Sequence, residues 1–165
     1  MHIGHSKKNI RDADIAVYST AIPWDNEELV EARARKMMIK RRAGLLAQLL
    51  NSKKGIAITG THGKTTTTSM ISLILRGMDL DPTIIIGGER NELGSNAKYG
   101  KGDHLVAEAC ESDGSFLKFS PTMAVVTNID LEHVDFYGDL EAIKSVFLDF
   151  IDRVPFYGLA VLCLD

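Results

Sequence analysis

Cysteine is scarce, with Cys110 and Cys163 the only two in 165 residues, and neither belongs to a CxxC or Cys/His spacing. That argues against a disulfide framework and against a zinc site, and reduced thiols point to the cytoplasm. Charge of one sign is also missing, because the net charge of −3 comes from interspersed acids and bases. No nucleic acid and no anionic membrane is expected as a partner. Apolar runs such as residues 84–86 and 123–126 fall far short of the roughly 18 residues a membrane span needs. What is present is 45% hydrophobic and 25% charged residues, a globular composition able to build a core. The length suits one ordinary domain or two small lobes.

Residues 15–19 (IAVYS) form a strand pattern, and Pro23, Asp25 and Asn26 mark a turn into a helix over 27–36. A short strand at 37–39 and a helix near 43–50 follow, the latter with Leu46, Leu49 and Leu50 at helical spacing. The NSKKG stretch at 51–55 breaks the pattern and is the expected domain boundary, with a first domain over 1–54 and a second over 55–165. A strand at 56–59, a glycine-bearing loop and a helix over 65–76 come next, with Met70, Ile71, Ile74 and Leu75 as the expected apolar face. Further strands are expected at 83–86, 104–108 and 123–127, with irregular chain over 87–102. A helix over 140–154 is capped by Asp139. Alternating strands and helices imply an α/β fold with a mostly parallel sheet flanked by helices. Residues 159–164 (LAVLCL) read as a buried strand; such strands normally lead into a crossover, and the opening His2-Ile3-Gly4-His5 after Met1 gives too little chain for a complete strand and helix. The expectation is therefore an internal piece of a longer protein.

The segment Gly60-Thr61-His62-Gly63-Lys64-Thr65 joins a strand to a helix. Glycines let backbone N–H groups turn toward an anion, and the following helix end adds partial positive charge. Phosphate is the natural guest, with Lys64 reaching the terminal phosphates as a solvent-facing contact and the Thr65 hydroxyl a hard oxygen ligand for Mg²⁺. An ordinary Walker A loop would place its first glycine at position 58, which is Ile58, so this is a shortened P-loop type. The bland alternative is a glycine-rich turn with a surface lysine. Ligand contact accounts for Thr65 and Thr66; packing or capping is an equal reading of Thr67 and Thr68.

An apolar strand ends at Glu108, where ligands gather in parallel sheets, so Glu108 is either a Mg²⁺ ligand or a solvated strand-end acid. Cys110, Glu111, Ser112, Asp113 and Gly114 follow. A second such strand runs into Asn128-Ile129-Asp130-Leu131-Glu132-His133-Val134-Asp135, where His133 could bind a second metal, orient phosphate, or make ordinary loop hydrogen bonds.

Taken together, ITGTHGKTTTT, EACESDGSF from Glu108 and NIDLEHVD from Asn128 resemble the central ATPase domain of the Mur ligases. The likeness extends to Asp81-Pro82-Thr83, Gly87-Gly88, Ser95-Asn96-Ala97 and the terminal PFYGLAVLCLD, which are similar to the branch that joins L-alanine to UDP-N-acetylmuramate. STAIPWDNEELVEAR from Ser19 resembles the end of that family's Rossmann-like UDP-sugar-binding domain. The resemblance implies that Lys64 and the backbone of Gly60, Thr61, His62, Gly63, Thr65 and Thr66 hold the phosphates of ATP. It implies one Mg²⁺ on Thr65 and Glu108 and a second on His133, with Lys64 and His133 catalytic. The implied reaction passes the γ-phosphate of ATP to the muramyl lactate carboxylate, giving an acyl phosphate that the amine of L-alanine attacks; this stretch alone is expected not to ligate. Two other readings stay open: the related ligase that recycles murein tripeptide, and a nucleotide-binding module without ligase activity. The family usually has an aspartate where this chain has Cys110, a position that either faces the metal site beside Glu108 or packs as a small buried hydrophobe.

Overall fold

The computed structural model describes residues 2–87, 96–112, 114–132 and 134–163. Gly88, Ser95, Asp113, His133, Leu164 and Asp165, singled out above, lie outside the described residues. The chain divides into two compact units, residues 1–46 and 47–165.

In the first unit a short 3-10 helix (Lys7–Ile10) is followed by β1 (Ile15–Tyr18), α1 (Glu27–Ala34) and β2 (Met38–Arg41). The two strands pair in parallel. Asn26 starts α1 by accepting from the Glu28 N–H at 3.0 Å, and Glu27 and Glu28 favour the positive helix end. The expected helix over 27–36 ends early because Lys36 turns to a positive φ of 55°. The Met37 N–H then bonds back to the Ala32 carbonyl at 2.9 Å and the Lys36 N–H to Arg33 at 3.0 Å, a Schellman closure. That use of the Met37 N–H moves the strand expected at 37–39 one residue onward. Leu29 and Ala32 are the buried face of α1.

The second unit starts within α2 (Arg42–Asn51) and continues through β3 (Lys54–Thr59), α3 (Lys64–Gly77), β4 (Thr83–Ile85), β5 (Ala97–Lys98) and β6 (His104–Glu108). A 3-10 turn (Ser115–Lys118) precedes β7 (Met123–Val126), α4 (Val134–Tyr137), α5 (Leu140–Ile151) and β8 (Leu159–Leu162). The six strands lie in the order β5-β4-β6-β3-β7-β8, and all pairings are parallel except β4 with β5. The chain leaves β3 for β4 on one side, then crosses from β6 to β7 on the other, so β3 is central and buried from Gly55 to Thr59. Strand ends beside such a crossing of directions form a crevice.

Helix α3 packs on β6 and β3, but with a face rotated from the one expected. Thr68 and Ser72 are fully buried, and Ile71 and Leu75 lie against Ile56, Ile58 and Val106. Met70 and Ile74 point outward, 58% and 60% exposed. Positions 68, 71, 72 and 75 form one helical stripe, and its small hydroxyl residues let the helix sit close to the sheet; Thr68 is thus a packing residue. At the other end of the site Phe116 is fully buried and stacks on Phe147 and Phe150 of α5, with centroids at 5.4 and 5.1 Å. Asp139 caps α5 through the Ala142 N–H at 2.8 Å. The residues read as a buried strand at 159–164 form β8 over 159–162, whose residues are exposed in this chain, since among the described residues only β7 neighbours it. Among the described residues no helix is long and apolar enough to cross a membrane.

Candidate functional site

The register aligns Ile58 of β3 with Glu108 of β6 and Thr59 with Val126 of β7. The three segments that follow these strands therefore emerge side by side. The first is the loop from Gly60 to Gly63. Gly60 has φ +128°, and a β-carbon there would strike the Thr127 Oγ1 and lie 2.8 Å from the Asn128 carbonyl oxygen. Gly63, at φ 80°, opens α3 without any side-chain cap. Only glycine takes both positions without strain, and α3 begins with no acidic residue in its first turn.

The segment after β7 clasps this loop. The Asn128 carbonyl accepts from the Thr61 N–H at 3.2 Å, and its side-chain Oδ1 accepts from the His62 N–H at 2.8 Å. The Thr127 hydroxyl reaches the His62 carbonyl at 2.5 Å and the Thr59 carbonyl at 3.2 Å. The Thr61 hydroxyl in turn accepts from the Asp130 N–H at 2.9 Å. His62 lies outward, its Nε2 3.7 Å from the Glu132 carboxylate. Thr127, Asn128 and Asp130 were not assigned roles from sequence; the one available cue was polar chain directly after a buried strand next to β3.

Lys64 is less solvent-facing than expected, with a side chain 18% exposed. Its ammonium donates to the Gly60 carbonyl at 2.5 Å, to Thr61 at 3.1 Å and to the carboxylate of Glu111 at 3.0 Å. Glu111, within the EACESDGSF stretch, is a residue whose part in the site the sequence does not signal. It is buried, and its carbonyl is held by the Tyr137 hydroxyl and by the Gly114 N–H at 3.0 Å. Nothing in the residue spacing foretells that pairing, since it depends on how Phe116 anchors the chain beyond β6.

Glu108 sits at the β6 terminus as expected. Its Oε1 is buried without a hydrogen-bond partner among the described residues, while its Oε2 lies 2.7 Å from where a β-carbon on Gly87 would be. A buried carboxylate oxygen with no donor is costly unless a cation meets it, so this residue fits a hard metal ion. Thr65, in the first turn of α3, is exposed and free to offer its hydroxyl. Thr66 shares that turn and that exposure. Cys110 is exposed, with Sγ 3.1 Å from the Ser112 hydroxyl, which excludes the buried-hydrophobe reading. Donor-rich backbone at a helix start, a lysine and an orphaned carboxylate oxygen together match the needs of a phosphate chain with a divalent ion.

A glycine-bearing loop between a central parallel strand and a helix defines a P-loop type α/β domain. Residues 58–165 match the Mur ligase middle domain and residues 1–54 the Mur ligase family catalytic domain, so the chain belongs to the Mur ligase family. It is 58% identical over 165 residues to the UDP-N-acetylmuramate--L-alanine ligase of Geotalea daltonii, covering 100% of this chain and 36% of that protein. The solved UDP-N-acetylmuramate-alanine ligase of Thermotoga maritima superposes with a TM-score of 0.85 at 32% identity, over 97% of this chain and 37% of that one. A solved UDP-N-acetylmuramate:L-alanyl-gamma-D-glutamyl-meso-diaminopimelate ligase from Neisseria meningitides gives 0.80 at 26%, over 96% and 55%. The chain thus spans about a third of the length of the curated relative.

Proposed function

We propose that this chain is the nucleotide-binding part of an ATP-dependent ligase that joins L-alanine to UDP-N-acetylmuramate in the cytoplasm, for the assembly of peptidoglycan precursors. The observation that carries the reading is the Gly60–Lys64 loop at the centre of the sheet with the partnerless Glu108 carboxylate oxygen beside it. The 58% identity to a protein of that activity supports the substrate pair. Residues 55–165 are the ATP-binding domain, and residues 1–54 the end of a Rossmann-like domain for the UDP-sugar.

In this reading the backbone from Gly60 to Thr66, including Thr61, His62 and Gly63, cradles the phosphates, and Lys64 contacts their terminal oxygens. Thr65 and Glu108 hold one Mg²⁺, and His133 a second. Bound ATP with its metal supplies an activated phosphoryl group and cancels part of the repulsion between a triphosphate and a carboxylate. The carboxylate oxygen of the muramyl group bonds to the γ-phosphorus as ADP leaves; the alanine nitrogen then bonds to the acyl carbon as phosphate leaves. The chain's own contribution is orientation: the Thr127–Asn128 clasp fixes the loop, β6 pairing places Glu108, and Phe116 fixes the segment bearing Glu111.

Titration of the 165-residue chain with ATP and Mg²⁺ tests the site. Saturable binding that Lys64→Ala abolishes in a folded variant supports it, and a wild-type chain without saturable binding refutes it. The substrate pair is tested by exchanging this chain for the matching stretch of the Geotalea daltonii protein and measuring phosphate release with L-alanine and with murein tripeptide. Release that depends on tripeptide alone would move the assignment to the recycling ligase, and binding without release in either case to a nucleotide-binding module.

A further inference from the structure

We propose that Glu111 is a specificity-determining residue that makes the phosphate loop accept metal-complexed polyphosphate and reject the bare anion. This rests on the reading of Gly60–Lys64 as the triphosphate site. Lys64 is the cation expected to meet the terminal phosphates, but its ammonium is in an ion pair with Glu111 at 3.0 Å, and the two side chains are 18% and 5% exposed. The pair is neutral. Glu108 adds a carboxylate whose buried Oε1 has no donor, and the His62 ring is matched by Glu132 at 3.7 Å. Among the described residues the side chains at the loop therefore present no net positive charge to an incoming anion.

Glu111 also stays where it is. Its backbone carbonyl is tied by the Tyr137 hydroxyl and the Gly114 N–H, and Phe116, five residues on, is locked into the aromatic cluster with Phe147 and Phe150. A phosphate oxygen that displaced one of the two carbonyls from the ammonium, whose three N–H groups are all in use, would lie roughly 5 Å from the Glu111 carboxylate. At that range in a partly buried site one negative charge weakens anion binding at least about tenfold. A Mg²⁺ complex has much of its phosphate charge cancelled and escapes most of that penalty. An ordinary phosphate loop with an unpaired lysine would bind both forms with less distinction.

The test is the ratio of ATP affinities measured by titration calorimetry in excess Mg²⁺ and in excess chelator, for the wild-type chain, Glu111→Gln and Glu111→Asp, with melting temperatures alongside. Glu111→Gln should tighten chelator-condition binding at least about tenfold and shrink the ratio accordingly, while Glu111→Asp, which keeps the charge, should retain a wild-type ratio. A purely structural role would change both affinities together and leave the ratio alone. Should Glu111→Gln fail to fold, Glu111→Met, which removes the charge at similar volume and leaves Lys64 in place, carries the comparison: a ratio reduced at least about tenfold is expected. An unchanged ratio in a folded variant lacking the Glu111 charge overturns the proposal while the phosphate site stands. A wild-type chain that binds ATP in neither condition overturns the phosphate site itself, and this inference with it.

Discussion

Replacing Gly60 by alanine should cost far more than replacing Gly63, although both glycines have positive φ. At Gly63, φ is 80° and the nearest atom to an added methyl is the Thr127 Cβ at 4.0 Å. The penalty there is the left-handed backbone alone, about 1 kcal/mol. At Gly60 φ is +128°, and the methyl would overlap the Thr127 hydroxyl and crowd both the nitrogen and the carbonyl oxygen of Asn128. Backbone strain of about 1 to 2 kcal/mol is then joined by displacement of the clasp. Losing two or three of the bonds Thr127–His62, Thr127–Thr59 and Asn128–Thr61 adds about 1 kcal/mol each. The sum is about 3 to 5 kcal/mol, or roughly 10 to 15 °C in melting temperature for a chain of this size. Urea unfolding of the two variants, with Gly60→Ala repeated in a Thr127→Ala background, measures it. The threonine change removes the atom the methyl would strike, so the two substitutions should be less than additive by about 1 kcal/mol or more. Equal destabilisation by Gly60→Ala and Gly63→Ala, or full additivity with Thr127→Ala, would refute the clasp as the source of the constraint.

Lys64→Ala should lower stability by about 2 to 4 kcal/mol, because it strands the buried Glu111 carboxylate, and adding Glu111→Gln should recover most of that loss in denaturant melts. Cys110→Asp should change the melting temperature by no more than about 1 °C, since the residue is exposed. It should also tighten Mg²⁺-dependent nucleotide binding by up to about 1 kcal/mol; a lower melting temperature without tighter binding would count against the electrostatic account. In the first unit, burial pushes the Glu28 carboxyl up, but hydrogen bonds from Asn9, the Ser6 N–H and His5, with the charge of His5, outweigh it and hold it below its ordinary value. Because the folded form is the stronger acid, this stabilisation is present above the unfolded-state pKa and is lost as pH falls through the folded one. Glu28→Gln should therefore flatten the stability profile on the acid side of about pH 5, and a carboxyl NMR titration should show a depressed midpoint.

The strand–loop–helix order and the places of Lys64, Thr65 and Glu108 were legible in the residues, because periodicity and strand ends are local properties. The outward face of α3 was not: Met70 and Ile74 match a helical apolar stripe as well as Ile71 and Leu75 do, and only the close approach to β6 selects the stripe carrying Thr68 and Ser72. The Glu111–Lys64 pair joins residues separated by 47 positions, and the clasp joins residues separated by 65 to 69. Such contacts depend on strand order, which no local pattern reports. The exposure of β8 was not legible for a similar reason: Leu159, Val161 and Leu162 have the composition of a buried strand, and they are exposed here because no strand is described on the far side of β8.

The clasp also has a consequence for the order of events in folding. The loop between β3 and α3 closes on itself within a few residues, yet its shape is held by Thr127 and Asn128, which arrive only after α3, β4 and β6 have been laid down and β7 has paired with β3. Contacts of such long sequence separation form late, because the entropy of closing the intervening chain must be met first. In refolding from denaturant, helix content should therefore return before the capacity to bind nucleotide. Binding should reappear in step with the docking of β7, so a nascent chain that ends before Thr127 would carry every residue of the loop and still lack its fixed form.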